Sequence, residues 1–536
     1  MKTVATIENK TETNQKLGAE ILVETLIRNG ADTVFGYPGS PVLPIYEALS
    51  HTKKIKHYLT RHEQGAVHAA EGYAAVKKDC GIALVTSGPG ITNTVTGLAN
   101  ALFDKTPLLV ICAQTEKTNN NDFQSIDVTK LTESCTKKTY CINKADDISK
   151  TITNAIQEAK RLPQGPVVVA VTKTALSTNG TFDEQKKRTE IKVEAPQSCI
   201  LRAIDKLKNA KRPLIIVGGG CKGSESAVKK FAEITHIPVV NTLKGCGIAD
   251  NISCGMIGLN GVSYLNKKIK ESDVVLALGT RFTDRTTAQA DKFLPDSHII
   301  SINIENNNSD NVEIQEEILG EMKVILQQMI GTIIANKTTF EIKFHWIEQL
   351  SQNEDLRNSQ EGFTKEYVLN SIFEKTKLYS PVVVTDVGEH QVITAKTVKT
   401  SSGYHFLTSG GFGAMGYGLP AAIGASVAKP DSLVLNITGD GSFQMNMQEL
   451  AVCAEYNLPI KIIILNNSSL GMIKNQQKEL DYQCYQSDLI NPDFVKIANA
   501  YGIFGYNITN REGLNKALAE FLTYKKPVIL NIKVDK

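Results

Sequence analysis

The sequence predicts an α/β protein built of three doubly wound parallel-sheet domains. Three observations lead there. Short apolar, β-branched runs recur along the chain, and stretches with helical spacing separate them. This is the pattern of βαβ units feeding sheets that are buried on both faces. The chain has 536 residues, too many for one ordinary core and suited to roughly two to four domains. Two polar, aperiodic stretches, 177–195 and 336–363, interrupt the alternation. Reading them as linkers gives domains at 17–177, 196–335 and 365–536.

The first domain is carried by IALVTS (82–87), PLLVICAQ (107–114) and GPVVVAV (165–171). The second opens with RPLIIVGGG (212–220) and continues through IPVVNTL (237–243), DVVLALG (273–279) and HIISINI (298–304). The only tryptophan, Trp346, falls in the second linker and is expected to be a packing anchor. The third domain contains PVVVTDVG (381–388), LVLNIT (433–438), IKIIIL (460–465) and KPVILNI (526–532). The first and third segments have similar size and strand content but no identity strong enough for a sequence repeat. Two related domains around a different central one is the expected architecture.

Composition narrows the function classes. Hydrophobic residues make up 42% and charged residues 21%, the balance of a globular protein. Lys plus Arg is 59 against 56 Asp plus Glu, so no polyelectrolyte signal points to nucleic acid. The basic run Lys186–Arg188 reads as solvated linker. Ten cysteines lack CxxC or zinc-like spacing, and Cys112, Cys221 and Cys453 lie in or beside apolar runs. They are expected to be buried free thiols in a reducing compartment. The start, MKTVATIENKTETNQ, has no apolar core of a signal peptide, and no apolar run reaches membrane-span length. A cytoplasmic protein is the expectation.

The chemistry is densest in GDGSFQMNMQELAVCAEYNLPIKIIILNN, Gly439 to Asn467. Two buried strands flank a helical stretch, with Pro459 expected to stop the helix after Leu458. Gly-Asp-Gly and Asn-Asn therefore both fall just past strand C-termini, where open α/β sheets bind ligands. Hard oxygen donors such as Asp440 and Asn467 suit Mg²⁺, which commonly brings a phosphate. Gly439 and Gly441 let backbone approach a ligand closely. In RHEQGAVHAAEGYA (61–74), Glu63 opens an Ala-rich helix. In LTSGGFGAMGYGLPAAIGA (407–425), dense glycine precedes another Ala-rich helix. TDVGEHQ (385–391) follows a strand at the same sheet edge.

Together these motifs resemble the thiamine-diphosphate enzymes, and the resemblance runs from about Leu17 to Lys533. The blocks FGYPGSPVLPIYEAL (35–49), TSGPGITNTVTGLANALFDKTPLLVICAQ (86–114), GMIGLNGV (255–262), GTRFTDRTT (279–287) and LTSGGFGAMG look most like the large catalytic subunits of acetolactate (acetohydroxyacid) synthases. The resemblance implies a pyrimidine-binding domain, a central domain and a diphosphate-binding domain. It also implies roles for residues. Asp440, Asn467 and the main-chain carbonyl of Ser469 would hold Mg²⁺. Gly439, Gly441, Ser442 and His390 would line the diphosphate. Met415 would wedge under the cofactor, and Gly413 would offer a carbonyl to its amino group. Glu63 would face the pyrimidine ring nitrogen and favour the tautomer that acts as internal base. Glu389 stands where acetohydroxyacid enzymes carry Gln, and a carboxylate there repels phosphate unless it points away.

The implied reaction is loss of CO₂ from pyruvate and condensation with a second 2-oxo acid to give acetolactate, a step toward valine and isoleucine. Arg285 matches the residue that pairs with the second substrate's carboxylate, a suitable task for a guanidinium. Gln114, Phe123 and Lys137 match residues near the active site. The resemblance also implies FAD that takes no electrons, at Thr242, Leu243, Gly258, Leu259, Asn260, Arg281 and Asp284. Departures occur here: Lys244 replaces Met in TLMG, Leu259-Asn260 replaces Met-His, and Pro163 stands where Arg is usual, with Arg161 two positions away. Gln476 replaces the Trp that favours 2-oxobutyrate, and the chain ends at KVDK without the Pro-rich tail. A more polar or more open acceptor pocket, or one completed by another segment, is expected.

The alternatives keep the same cofactor with a sugar-ketone or aldehyde acceptor, or dispense with FAD. Glu63 disfavours glyoxylate carboligase, and the absence of a His-His pair disfavours pyruvate decarboxylase. An inactive regulatory subunit would not need intact Glu63, Asp440, Asn467 and Met415. The resemblance further implies a homodimer or tetramer with active sites between subunits, and it allows a small regulatory subunit.

Overall fold

The computed structural model describes residues 15–116, 122–183, 194–249, 252–288, 290–307, 310, 312–342, 344–351, 362–398 and 405–535. The basic run Lys186–Arg188 and residues 1–14 lie outside these, as do 184–193 and 352–361 of the two expected linkers. The chain divides into two compact units, residues 1–67 with 80–188 and residues 68–79 with 189–536.

Three six-stranded parallel sheets form the framework. Their strands are numbered here in chain order. The first unit holds β1 (Thr33–Gly36), β2 (Lys56–Leu59), β3 (Gly81–Val85), β4 (Leu108–Gln114), β5 (Lys138–Ile142) and β6 (Pro166–Thr172). Their order across the sheet is β2-β1-β3-β4-β6-β5. In the second unit the central sheet contains β7 (Pro213–Val217), β8 (Val239–Asn241), β9 (Ser253–Met256), β10 (Val274–Leu278), β11 (His298–Asn303) and β12 (Glu316–Leu319). Its order is β9-β8-β7-β10-β11-β12. The third sheet contains β13 (Val382–Thr385), β14 (His405–Thr408), β15 (Val434–Gly439), β16 (Lys461–Asn466), β17 (Phe504–Ile508) and β18 (Val528–Lys533), in the order β14-β13-β15-β16-β18-β17. The first and third sheets thus share one strand order, and the central sheet has another.

Burial on both faces explains why the strands read as continuous apolar runs. In β7, Leu214 and Ile216 enter one core, while Ile215 and Val217 enter another. Each fully buried side chain of this size contributes about 1.5–3 kcal/mol. The core that takes Leu214 and Ile216 also holds Trp346, which is 2% exposed and donates from Nε1 to the Pro213 carbonyl at 2.9 Å. Trp346 is the packing anchor expected, but it stands on a helix, Phe344–Ser351, within the stretch read as linker. Trp346 and Leu350, one turn apart, are the buried pair that fixes this helix. The first linker also begins later than read. Asn179–Thr181 pairs antiparallel with Gln15–Leu17, a partner too remote in sequence for local pattern to indicate.

Within the second unit, the stretch 68–77 of helix Glu63–Lys77 lies against helix Gly418–Ala428. A Cβ on Gly72 would fall 2.0 Å from the Ala421 carbonyl oxygen, and one on Gly424 would fall 1.8 Å from that of Ala69. Only glycine permits the two backbones to meet so closely. His68 and Glu71, both buried, share a hydrogen bond of 2.6 Å, and the His68 ring meets Tyr417 edge-on.

The helix expected between β15 and β16 is shorter than read. It runs Leu450–Glu455 after a 3₁₀ turn at Met447–Glu449. Asn457 takes φ of 50°, and the Leu458 amide donates back to the Cys453 carbonyl. A left-handed C-terminal turn, not Pro459, ends the helix. Cys112, Cys221 and Cys453 are fully buried thiols whose burial raises their pKa, that of Cys221 to about 12. Among the described residues no helix is long and apolar enough to cross a membrane.

Candidate active site

In the third sheet the chain leaves β13 toward β14 on one side, and β15 lies on the other. That reversal is a topological switch point, the place where open α/β sheets take ligands. Thr385 is level with Ile437 across the pair, so the segments after β13 and β15 emerge side by side. They are the stretches 386–391 and 439–442, the two motifs singled out in the sequence.

His390 sits on the first turn of helix Glu389–Thr397 and is 5% exposed. Burial pushes its pKa down to about 3, although the Asp386 carbonyl accepts from its ring, so the imidazole is neutral. Among the described residues its Nε2 is buried without a hydrogen-bond partner. A Cβ on Gly439 would lie 2.8 Å from His390 Nδ1, so the glycine is what lets the ring stand beside the second motif.

Asp440 begins the short helix Asp440–Phe443 directly after β15. It is 2% exposed, and burial raises its carboxyl pKa above the ordinary range against hydrogen bonds from Asn491 and backbone amides, that of Ser468 included. Asn491 donates from Nδ2 to Asp440 Oδ2 at 2.6 Å and to Asn466 Oδ1 at 3.0 Å. Gln444 donates to the Asn491 side-chain oxygen at 3.1 Å and to the Asp440 carbonyl at 3.0 Å. Asn467 follows the neighbouring strand β16, and its Oδ1 accepts from the Ser469 amide at 3.1 Å. Ser468 between them adopts φ of 52°, and Ser469 is buried with its hydroxyl donating to the Ser487 carbonyl. Ser442 is buried, its hydroxyl within 3.2 Å of that of Thr438.

The loop 409–418 is tied to the same edge. Asp386 accepts from the amides of Gly416 at 2.9 Å, Gly418 at 2.8 Å and Val387 at 2.7 Å. Burial raises its pKa to about 6 despite these three donors. Ser409 accepts the Ala414 amide on its hydroxyl at 2.8 Å. Met415 is half-buried, and its Cε lies 4.0 Å from where a Cβ on Gly441 would stand. Gly413 takes φ of 78°, with Arg285 Nη2 3.7 Å from its would-be Cβ. Met415, Gly441, Gly413 and Arg285 are thus neighbours.

In the first unit Glu63 is 9% exposed at the start of its helix. Asn93 donates from Nδ2 to Glu63 Oε2 at 2.9 Å, and Glu63 Oε1 lies 3.7 Å from a would-be Cβ on Gly90. Thr86, beside Gly90 and Gly39, has a buried hydroxyl without a partner among the described residues. Gln114 ends β4 and donates to Asn143 at 3.4 Å. Phe123 is 87% exposed. Lys137 directs Nζ to the carbonyls of Glu158 at 2.5 Å and Arg161 at 2.8 Å, and Arg161 pairs with Glu158 at 2.7 Å. Lys137 therefore caps the end of helix Ile148–Lys160.

In the central sheet, Thr242 and Leu243 follow β8, Thr242 donating its amide to the Val217 carbonyl at 3.0 Å. Gly258 takes φ of 105° and packs on the Arg285 carbonyl, which also accepts the Leu259 amide at 2.7 Å. Asn260 and Arg281 are half-buried, while Leu259, Asp284 and Arg285 are exposed. Lys244 spreads its stem over Gly410 and donates to the Thr408 carbonyl at 3.2 Å.

Three family models match the chain. They are described as the N-terminal TPP binding domain (residues 16–131), the central domain (200–329) and the C-terminal TPP binding domain (386–532) of thiamine pyrophosphate enzymes. The chain belongs to the thiamine pyrophosphate enzyme family. It is 36% identical to a probable acetolactate synthase large subunit of Methanocaldococcus jannaschii, covering 97% of this chain and 92% of that one. It is 36% identical to the acetolactate synthase large subunit of Haemophilus influenzae, over 97% and 94% of the two chains. It is 34% identical to the acetolactate synthase isozyme 2 large subunit of Escherichia coli, over 97% and 95%.

The residues present suit a thiamine pyrophosphate enzyme. The orphaned Nε2 of His390 is a buried polar atom whose hydrogen bond a ligand bound at this edge would complete. Among the described residues no cluster of three or more His, Cys, Asp or Glu could hold a metal. One carboxylate with amide and carbonyl oxygens is instead the donor set that suits Mg²⁺ held jointly with phosphate. Three residues that the sequence reading missed support these motifs: in the second unit Asn491 orients Asp440 and Asp386 holds the glycine loop, and in the first unit Asn93 holds Glu63. Each acts through a hydrogen bond to a motif, which no spacing in the sequence announces.

Proposed function

We propose that the chain is the catalytic subunit of an acetolactate-forming carboligase, which decarboxylates pyruvate and joins the two-carbon unit to a second 2-oxo acid. The observation that carries this reading is the meeting of the His390 loop and the Gly439–Ser442 turn at one switch point, in a chain aligned over nearly its whole length with acetolactate synthases. Sugar-ketone or aldehyde acceptors draw no support from those relatives.

In this reading His390, Gly439, Gly441 and Ser442 bind the pyrophosphate. Asp440, Asn467 and the Ser469 carbonyl bind Mg²⁺, with Asn491 fixing the Asp440 carboxylate. Met415 supports the cofactor from beside Gly441, and the Gly413 carbonyl accepts from its amino group. Bound thiamine pyrophosphate supplies the electron sink that decarboxylation of a 2-oxo acid requires. Glu63 holds and moves the proton of the pyrimidine nitrogen. Asn93 occupies its Oε2, which reserves Oε1 for that proton. Arg285, beside Gly413, takes the carboxylate of the acceptor, and Gln114 contributes a polar contact to substrate.

FAD belongs to the same proposal. The central strand order, 3-2-1-4-5-6 when counted within its own sheet, is the order of dinucleotide-binding folds. Thr242, Leu243, Gly258, Asn260, Arg281 and Asp284 are its binding candidates. Gln476, exposed on helix Gly471–Glu479, makes the acceptor side more polar than Trp would. The working form is a homodimer or tetramer with shared active sites, and the likeness to large subunits leaves a place for a small regulatory partner.

The test is Glu63→Gln. Acetolactate formation falls by about 100-fold or more, while thiamine pyrophosphate still binds in calorimetry. Full activity in that variant would remove Glu63 from the mechanism.

A further inference from the structure

Glu389 poses an electrostatic problem that the structure answers. It lies between Gly388 and His390 in the segment read as facing pyrophosphate, where an unpaired carboxylate would repel the anion. Its Oε2 is 2.6 Å from Lys365 Nζ. The Lys365 side chain is 12% exposed and that of Glu389 is 31% exposed, so the pair is largely sheltered from solvent screening. The same oxygen lies 2.5 Å from where a Cβ on Gly471 would stand, at the first residue of helix Gly471–Glu479. Glu389 therefore meets both a cation and a helix N-terminus.

Lys365 is itself in an unexpected place. It is the first residue of helix Lys365–Thr376, after the N-cap Thr364. A helix N-terminus disfavours a cation. The hydrogen-bonded Glu389 is the compensation, and no other anion is paired with Lys365 among the described residues. The Lys365 charge also adds to burial in keeping His390 neutral.

We propose that Lys365 is a positioning residue for pyrophosphate binding: it draws the Glu389 carboxylate toward itself and the start of helix Gly471–Glu479, and cancels its charge beside His390. This rests on the reading of 386–391 as the pyrophosphate segment. Losing Lys365 leaves an uncompensated carboxylate next to the anion. Losing both charges restores a neutral wall.

The experiment is a double-mutant cycle on the full chain, read by calorimetric titration of thiamine pyrophosphate in excess MgCl₂. Lys365→Met weakens binding by about tenfold or more. Glu389→Gln binds no more weakly than wild type. The double variant returns to within about threefold of wild type, and Lys365→Arg binds as wild type does. Thermal melting without cofactor checks that each variant is folded. If Lys365→Met does not fold, a double variant that folds and binds like wild type supports the proposal, and one that binds poorly overturns it. Wild-type-like binding by Lys365→Met, or a double variant as weak as Lys365→Met, also overturns it. If the wild-type chain takes up no thiamine pyrophosphate, the functional reading fails first, and this inference falls with it.

Discussion

Asp440 and Asn491 lie 51 residues apart, yet a 2.6 Å hydrogen bond joins them. Removing the second is the sharpest residue-level prediction. Asn491→Ala leaves Asp440 in place but releases its carboxylate, so the Mg²⁺ needed for half-maximal thiamine pyrophosphate binding rises by about 10- to 100-fold. A magnesium titration of cofactor binding measures it, and an unchanged requirement would assign Asn491 to packing alone. Residues of this kind separate what the sequence makes legible from what it does not. Glu63, Asp440 and Asn467 stand in motifs whose residue types follow from the chemistry. Asn491, Asp386 and Asn93 take their meaning from partners that only the fold brings near. Lys244 and Glu389, departures from the family's pattern, find backbone and Lys365 as partners.

Elements were easier to read than their contacts. The strands expected at 433–438 and 460–465 are observed as Val434–Gly439 and Lys461–Asn466, because burial on both faces leaves an unmistakable apolar run. The strand Asn179–Thr181 was hidden, since its short, exposed sequence carries no alternation and its partner starts the described chain. The close approach of residues 68–77 to helix Gly418–Ala428 was equally invisible: both read only as Ala- and Gly-rich helices. It carries its own prediction. Gly424→Val forces a side chain against the Ala69 carbonyl, which already lies 1.8 Å from a bare Cβ. Overpacking of this sort costs about 1–3 kcal/mol or more, so the variant melts several degrees lower in thermal unfolding. An unchanged melting temperature would show that these helices separate easily.

At the scale of the whole molecule, the three sheets follow two strand orders, one shared by the first and third and one belonging to the central sheet. Strand content hinted at this division. Strand order itself could not be read, because it depends on which strands pair across tens of residues. The order matters for function: it creates the switch point at which the His390 loop and the Asp440 turn come together, and the central sheet has the strand order of dinucleotide-binding folds. The most direct measurement is to supply the purified chain with thiamine pyrophosphate, Mg²⁺ and pyruvate, with and without FAD, and to assay acetolactate. The predicted result is acetolactate formation that rises when FAD is present. Release of CO₂ without acetolactate would contradict the proposed acceptor, and pyruvate left intact even with FAD would contradict the carboligase reading itself.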